Sequence, residues 1–326
     1  MVERLAGVLG QEKALGLLRR YLAADAVPQG LLFTGDEGIG KERTAVALAA
    51  ALLCRERGED GACGACPDCR LFGASAHPNF LHIVPETQFL RIGEIRALQE
   101  EFALKAFSDR PRAAVLAPAD RMTPQAANAL LKTLEEPPRG THLILVAHRI
   151  AGMPPTIVSR CQRIPFLPLP AETIAEILAR HPDAGPGFPE PLLRIAAAVS
   201  GGSPGRALSL LPDLSEERRA WLSLLTKLSA REAIDLAESW KGEGDAPGRM
   251  AAPLSLARDL ALLSSGGGAD IINADLREPL SALASRPPEG GWDEAFRALL
   301  AISRMPPQPQ KRLMLEAFFF GLRDKG

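Results

Sequence analysis

The sequence carries almost no net charge and no long apolar run, and these two shortages remove whole classes of function before any motif is read. Its 38 Lys and Arg residues are offset by 39 Asp and Glu, a formal charge of -1. The chain therefore has no overall basic field, and contact with nucleic acid must come from a local patch or through partners. No stretch approaches the roughly 18 consecutive apolar residues of a membrane span. The most apolar tract, MLEAFFFGL at 314–322, is far too short. The opening residues, MVERLAGVLGQEKALGLLRRYLAA, place acidic residues early and form no continuous apolar leader core. No fixed-period repeat is found. A soluble, cytoplasmic protein with no membrane partner is expected, and 326 residues with 46% hydrophobic content suffice for two or three domains.

Cysteine is also scarce, yet it is unevenly placed. Cys54, Cys63, Cys66 and Cys69 cluster, while Cys161 stands alone. In a reducing compartment, CxxCxxC spacing reads as metal ligation rather than disulfide formation. With Cys54 ending the preceding helix, four thiolates can reach one tetrahedral Zn²⁺, and a closed set of four soft ligands makes that zinc structural. His77 and His82 are alternative ligands, but four cysteines already satisfy the ion, so both are assigned to packing or surface roles. The segment RERGEDGACGACPDCR at 55–70 mixes acidic with basic residues and has no aromatic for base stacking. This argues against the thiolate cluster as a direct nucleic-acid contact.

Along the chain, five short apolar runs predict strands: GLLFTG (30–35), FLHIV (80–84), AAVLA (113–117), HLILVA (142–147) and RIPF (163–166). Helical patterns lie between them, at 11–24, at ERTAVALAAALLC after Lys41, at 92–106 with Ile92, Ile95, Leu98 and Phe102 on one face, and at PQAANALLKTLEEPP. Alternating strands and helices predict an α/β fold, a parallel sheet covered on both faces. Beyond residue 170 the strand signal disappears. The expected division is an α/β module at 1–168, a small helical module at 169–212 and an all-α module at 213–326.

The stretch TGDEGIGKERTA (34–45) joins the first strand to a helix, the context a phosphate-binding loop requires. Gly35, Gly38, Gly40 and Lys41 fit the cradle and its cation. Where a Mg²⁺-binding hydroxyl is needed, the chain has Glu42. Thr44 is no simple replacement, since two residues along a helix turn about 200°. The strand at 113–117 should end in an acidic pair in a hydrolysing enzyme, yet Ala117 and Pro118 stand there and Asp120 comes later. Intrinsic hydrolysis is not expected, ATP binding is doubtful, and the glycines have an architectural explanation in the strand-to-helix turn. In TIVSRCQRIPF (156–166), Arg160 precedes the last strand. An arginine there is placed to neutralise charge on a neighbour's γ-phosphate, or to pair with a nearby carboxylate of its own chain.

Taken in order, VLGQE (8–12), GDEGIGK (35–41), the four cysteines, HPNF (77–80), ANALLKTLEEPP (127–138) and SRC (159–161) resemble the AAA+ clamp-loader subunits of bacterial DNA polymerase III. The resemblance covers about residues 1–210. The motor subunits of that family, gamma and tau, keep the hydroxyl and the acidic pair. This chain departs at both, and in LVAHRI (145–150) Ala147 and His148 replace the usual sensor 1 residues. The resemblance thus implies a non-hydrolysing stator, with Arg160 as a trans-acting arginine finger for an adjacent motor subunit. It further implies a lid at 169–212, with Arg206 at the sensor 2 position in a vestigial or structural role, and a C-terminal collar. Phe318, Phe319 and Phe320 make one collar helix apolar most of the way round, so it is expected to be buried in its module or against other subunits. The implied partners are gamma/tau motor subunits and a delta subunit, with the sliding clamp and primed DNA engaged through the assembly. The alternatives are a divergent gamma/tau-type motor ATPase, with Glu42 or Asp120 binding Mg²⁺, and a zinc knuckle that touches DNA.

Overall fold

Residue alternation along the central strands explains the first layer of structure. In the computed structural model, β1 (Gly30–Thr34), β2 (Phe80–Ile83), β3 (Arg112–Leu116), β4 (Thr141–Ala147) and β5 (Gln162–Pro165) form one sheet in the order β2-β3-β4-β1-β5. Every pairing in it is parallel. Leu31, Phe33, Val115, Ile144 and Val146 enter one buried cluster, while Leu32, Ala114, Leu116, Leu143 and Leu145 enter another. Successive side chains leave a strand on opposite faces, so runs apolar at every position are those buried on both.

Helices cover the two faces. α1 (Glu12–Ala23), α2 (Lys41–Leu53) and the short α3 (Pro67–Gly73) supply Leu15, Leu18, Leu48, Leu52 and Phe72 to the first cluster. α4 (Ile92–Ala103), α5 (Pro124–Glu135) and α6 (Pro155–Val158) supply Ile95, Leu98, Phe102, Leu130 and Ile157 to the second. The start of α5 follows from its sequence: the Thr123 side chain accepts the Ala126 N–H at 3.3 Å, and Pro124 occupies the first turn, where its missing N–H costs nothing. The helix expected over 92–106 is seen to Ala103, and its last positions lie outside the described residues. Those residues are 4–85, 87–103, 111–227, 231, 250–303, 305 and 309–322.

The chain divides into two compact units, 1–170 and 171–326. The second contains α7 (Ala171–Arg180), α8 (Glu190–Val199), α9 (Pro204–Lys227), α10 (Ala251–Ser264), α11 (Arg277–Ala284), α12 (Gly291–Ser303) and α13 (Pro309–Gly321). The lid and collar boundary expected at 212 falls inside α9, which carries Pro212 in its interior. Buried Leu210, Leu211, Leu214 and Trp221 continue one packed face past the proline, so burial outweighs the break that Pro favours. In α13, Leu315 is fully buried and Phe318 half-buried, but Leu313 and Met314 are exposed. The expectation of burial most of the way round is thus not met within this chain, and the side chains of Phe319 and Phe320 lie outside the description. No helix among the described residues is long and apolar enough to cross a membrane.

A buried polar network ties the second unit together. Arg218 of α9 donates from Nη1 to Asn273 Oδ1 at 3.0 Å and grips Asp275 through both terminal nitrogens at 2.9 Å. Asp259 of α10, fully buried, accepts the N–H groups of Ile272 and Asn273 at 3.0 and 2.7 Å and the Asn273 side-chain amide at 2.8 Å. Removing one member leaves buried donors without acceptors, which costs more than the net worth of the bonds. Asp259→Ala should therefore destabilise the protein by about 2–4 kcal/mol in chemical denaturation. The Arg218 hydrogen bond holds the Asp275 carboxyl below its ordinary value. Its contribution is complete above the unfolded carboxyl pKa of about 4 and is lost as pH falls through the lower folded value.

Candidate functional site

The phosphate-type loop is shaped by close packing at its first glycine. Gly35 has φ +144°, and a Cβ there would lie 2.5 Å from the carbonyl oxygen of Phe166, just beyond β5. Only glycine fits such an approach. Gln11, nearly fully buried, ties the same regions together: its side-chain amide donates to Leu167 O at 2.8 Å and Ile39 O at 3.3 Å, and its Oε1 accepts the Leu167 N–H at 3.2 Å. Gly38 and Gly40 also have positive φ, +76° and +96°, and Gly40 caps α2.

The groups that would handle phosphate are turned onto their own chain. Lys41 is 3% exposed, and its Nζ donates to Gly35 O at 2.6 Å and to Asp36 O. Burial pulls its pKa down to about 8, while Asp120 and Asp36 act in the opposite direction. Glu42, in the place of the hydroxyl, faces His82 of β2, Oε1 to Nε2 at 3.1 Å. Hydrogen bonding to His82 holds its carboxyl below the usual range. Thr44 is fully buried, and its hydroxyl donates back to Gly40 O at 2.8 Å. At the end of β3, Ala117 and Pro118 offer no carboxylate. Asp120 is occupied as well, accepting the N–H groups of His148 and Arg149 at 2.9 and 3.1 Å and so closing the loop after β4. His148 Nδ1 lies 3.7 Å from Glu37 Oε2, and burial lowers its pKa.

Arg160 follows α6 at the edge of the sheet. Its Nη1 donates to Thr156 O at 3.0 Å and Ser159 Oγ at 3.4 Å, and its Nη2 lies 2.8 Å from Glu135 Oε1 at the end of α5. The side chain remains 37% exposed. Of the two readings left open for this arginine, pairing with a carboxylate of its own chain is therefore present. Cys161 beside it is separate from the thiolate cluster, and burial pushes its thiol up to about 12. Arg206 is half-buried in the second unit, where its backbone N–H donates to Ser203 Oγ at 3.2 Å.

Cys54, Cys63, Cys66 and Cys69 converge as the spacing predicts, with sulfur atoms all within 4.8 Å of one another. The Cys54–Cys66 and Cys63–Cys69 separations are 3.9 Å. A tetrahedral zinc with Zn–S bonds of about 2.3 Å has S–S edges of about 3.8 Å, so the residues fit such an ion. Backbone N–H groups of Cys63, Gly64, Ala65, Cys66 and Cys69 point at the sulfurs from 3.2 to 3.4 Å. The N–H donations from Ala65 and Cys66 bring Cys63 down to about 6, whereas burial raises Cys54 and Cys69. His77 is buried alongside: its Nδ1 accepts the Asn79 N–H at 3.1 Å, and it lies outside the ligand set. Arg55 is paired with Asp68 at 2.6 Å, and Arg57 with Asp25, so these two cations are balanced by carboxylates.

Three participants escaped the sequence reading. His82, expected in a packing or surface role, meets Glu42. Gln11 and Glu135 lay within recognised motifs with no role attached to them. The only advance signal was their position in VLGQE and LLKTLEEPP, because their partners are distant in sequence.

A parallel sheet with a glycine loop after β1, an arginine ahead of its edge strand β5 and a helical second unit define an α/β module with a phosphate-loop-like turn, followed by a helical unit. The family model described as "DNA polymerase III, delta subunit" matches residues 10–170. The chain is 39% identical over 215 residues to DNA polymerase III subunit delta' of Pseudomonas aeruginosa, covering 64% of each sequence. It is 34% identical over 168 residues to subunit delta' of Bacillus subtilis, covering 52% of this chain and 51% of that one. DNA polymerase III subunit gamma/tau of Mycobacterium tuberculosis is 30% identical over 212 residues, 64% of this chain and 36% of the relative. The family model and these relatives agree in making the chain similar to delta-type subunits of DNA polymerase III. The chain's matches span 64% and 51% of the length of the Pseudomonas and Bacillus relatives.

Two outcomes follow from this geometry. The folded state binds fewer protons at Lys41 than the unfolded chain between pH about 8 and about 10.4. Stability should therefore rise with pH across that window, and the increment should be absent from Lys41→Met when denaturation midpoints are compared. The purified chain should contain about one equivalent of zinc by elemental analysis, and Cys63→Ser should lose it together with thermal stability.

Proposed function

We propose that this chain is the non-hydrolysing stator of a clamp loader, a cytoplasmic subunit that activates a neighbour's ATPase. The observation that carries the reading is Glu42, which replaces the Mg²⁺-binding hydroxyl and is engaged by His82. The other groups of a hydrolytic site agree with it. Lys41 is spent on loop carbonyls, Thr44 on Gly40, and Asp120 on backbone N–H groups. Phosphoryl transfer depends on positioned Mg²⁺ and an oriented nucleophile, and this loop supplies neither function from those residues. The glycines persist because the turn between β1 and α2 requires them.

In this reading Arg160 acts in trans. It is presented on the rim of a rigid module, where a guanidinium can stabilise charge developing on a γ-phosphate held by an adjacent gamma/tau motor subunit. Zinc at the four cysteines holds the segment after α2 as a structural ion. The residues from 171 onward serve as lid and collar, joining this subunit to gamma/tau and delta. The completed loader places the sliding clamp on primed DNA. The alternative, a divergent gamma/tau-type motor, requires Glu42 or Asp120 to bind Mg²⁺. It predicts Mg²⁺-dependent hydrolysis by the isolated chain that disappears in Lys41→Ala.

The deciding experiment is clamp- and DNA-stimulated ATP turnover by a loader reconstituted with the matching motor and delta subunits. Arg160→Ala should lower turnover, with the complex intact by gel filtration. The loss at a single site is on the order of 10³ to 10⁵, diluted by motor sites that do not use this arginine. Unchanged turnover in an intact complex would remove Arg160 from the mechanism.

A further inference from the structure

The surroundings of Arg160 assign a task to a residue outside the nucleotide machinery. α5 ends at Glu135, shortly before Pro137 and Pro138, and α6 ends at Val158, just before Ser159 and Arg160. Both ends pack on the core cluster that contains Leu130 and Ile157, so the two side chains start from fixed positions. They meet with Glu135 Oε1 2.8 Å from Arg160 Nη2. Nη1 is separately anchored on Thr156 O and Ser159 Oγ. Both terminal nitrogens are thereby oriented, while the Nε–H edge has no hydrogen-bond partner among the described residues.

We propose that Glu135 is a positioning residue for Arg160, an inference that rests on the reading that Arg160 acts in trans. A free arginine side chain samples many rotamers, and only some present the fork to an anion outside its own subunit. Fixing the guanidinium plane at both ends reduces that loss when the neighbour's phosphate arrives. The pair is half in water, with 48% of the Glu135 side chain exposed. Such a contact is weak enough to rearrange, and a phosphate carries more negative charge than the carboxylate it meets. Glu135 thus orients the arginine without sequestering it.

The test uses the reconstituted loader and compares Glu135→Ala, Glu135→Gln, Arg160→Ala and the double variant Glu135→Ala/Arg160→Ala, separating kcat from KM for ATP. Glu135→Ala should lower kcat about two- to fivefold at the site served by Arg160, the range of one exposed ion pair, with KM little changed. Glu135→Gln, whose amide oxygen still accepts from Nη2, should restore most of the loss. The double variant should match Arg160→Ala alone, since Glu135 acts through that arginine. A kcat that is unchanged or raised in Glu135→Ala, or an equal loss when Arg160 is already absent, overturns the proposal while Arg160 keeps its role. If Arg160→Ala itself has no effect in an intact complex, the trans reading fails first, and the role of Glu135 fails with it.

Discussion

The approach of Gly35 to the Phe166 carbonyl is the constraint on which the first unit turns. It fixes the end of β1 against the residues after β5, and a side chain at Gly35 would force the two apart. At the other end of β1, a Cβ on Gly30 would lie 3.2 Å from Arg160 O. The strand that launches the glycine loop is therefore also the strand against which the arginine is set. Gln11 reinforces the arrangement by bonding to the loop and to Leu167. A glycine loop without its catalytic companions still has work to do here, because it determines where the edge of the sheet stands.

Charge has been redistributed rather than removed. Glu42 faces His82, Glu37 lies near His148, Asp120 holds the loop after β4, and Lys41 is directed at loop carbonyls. Each group that a hydrolytic site would aim at Mg²⁺ or phosphate has a partner within the chain. Arg160 differs from the buried Lys41, since its ion pair with Glu135 is at the surface and leaves part of the guanidinium exposed.

The two units use different means of cohesion. The first is an apolar sandwich around a parallel sheet, and the thiolate cluster adds a local tie at its margin, with Cys54, Cys66 and Cys69 packed into the same buried cluster. The second relies on helix packing together with a buried network from Arg218 through Asn273 to Asp259. Such a network is stable only when every member is satisfied, and it specifies one arrangement of α9, α10 and the loop ahead of α11.

The sequence by itself determined the strands, because an all-apolar run bounded by turn residues is a local signal, and all five lie within one residue of their expected starts. It also determined the thiolate set, since ligand spacing within about sixteen residues restricts geometry directly, and it exposed the missing hydroxyl and acidic pair by simple position. The seven-residue α3 went unread because proline, cysteine and glycine hide a short helix. α9 passed through Pro212 because burial on either side outweighed a local break. Only the tertiary structure decided that Glu42 meets His82 and that Glu135 meets Arg160. These contacts join residues far apart in sequence, and which side chains meet depends on strand order and on how helices cover the sheet, quantities that no local periodicity contains.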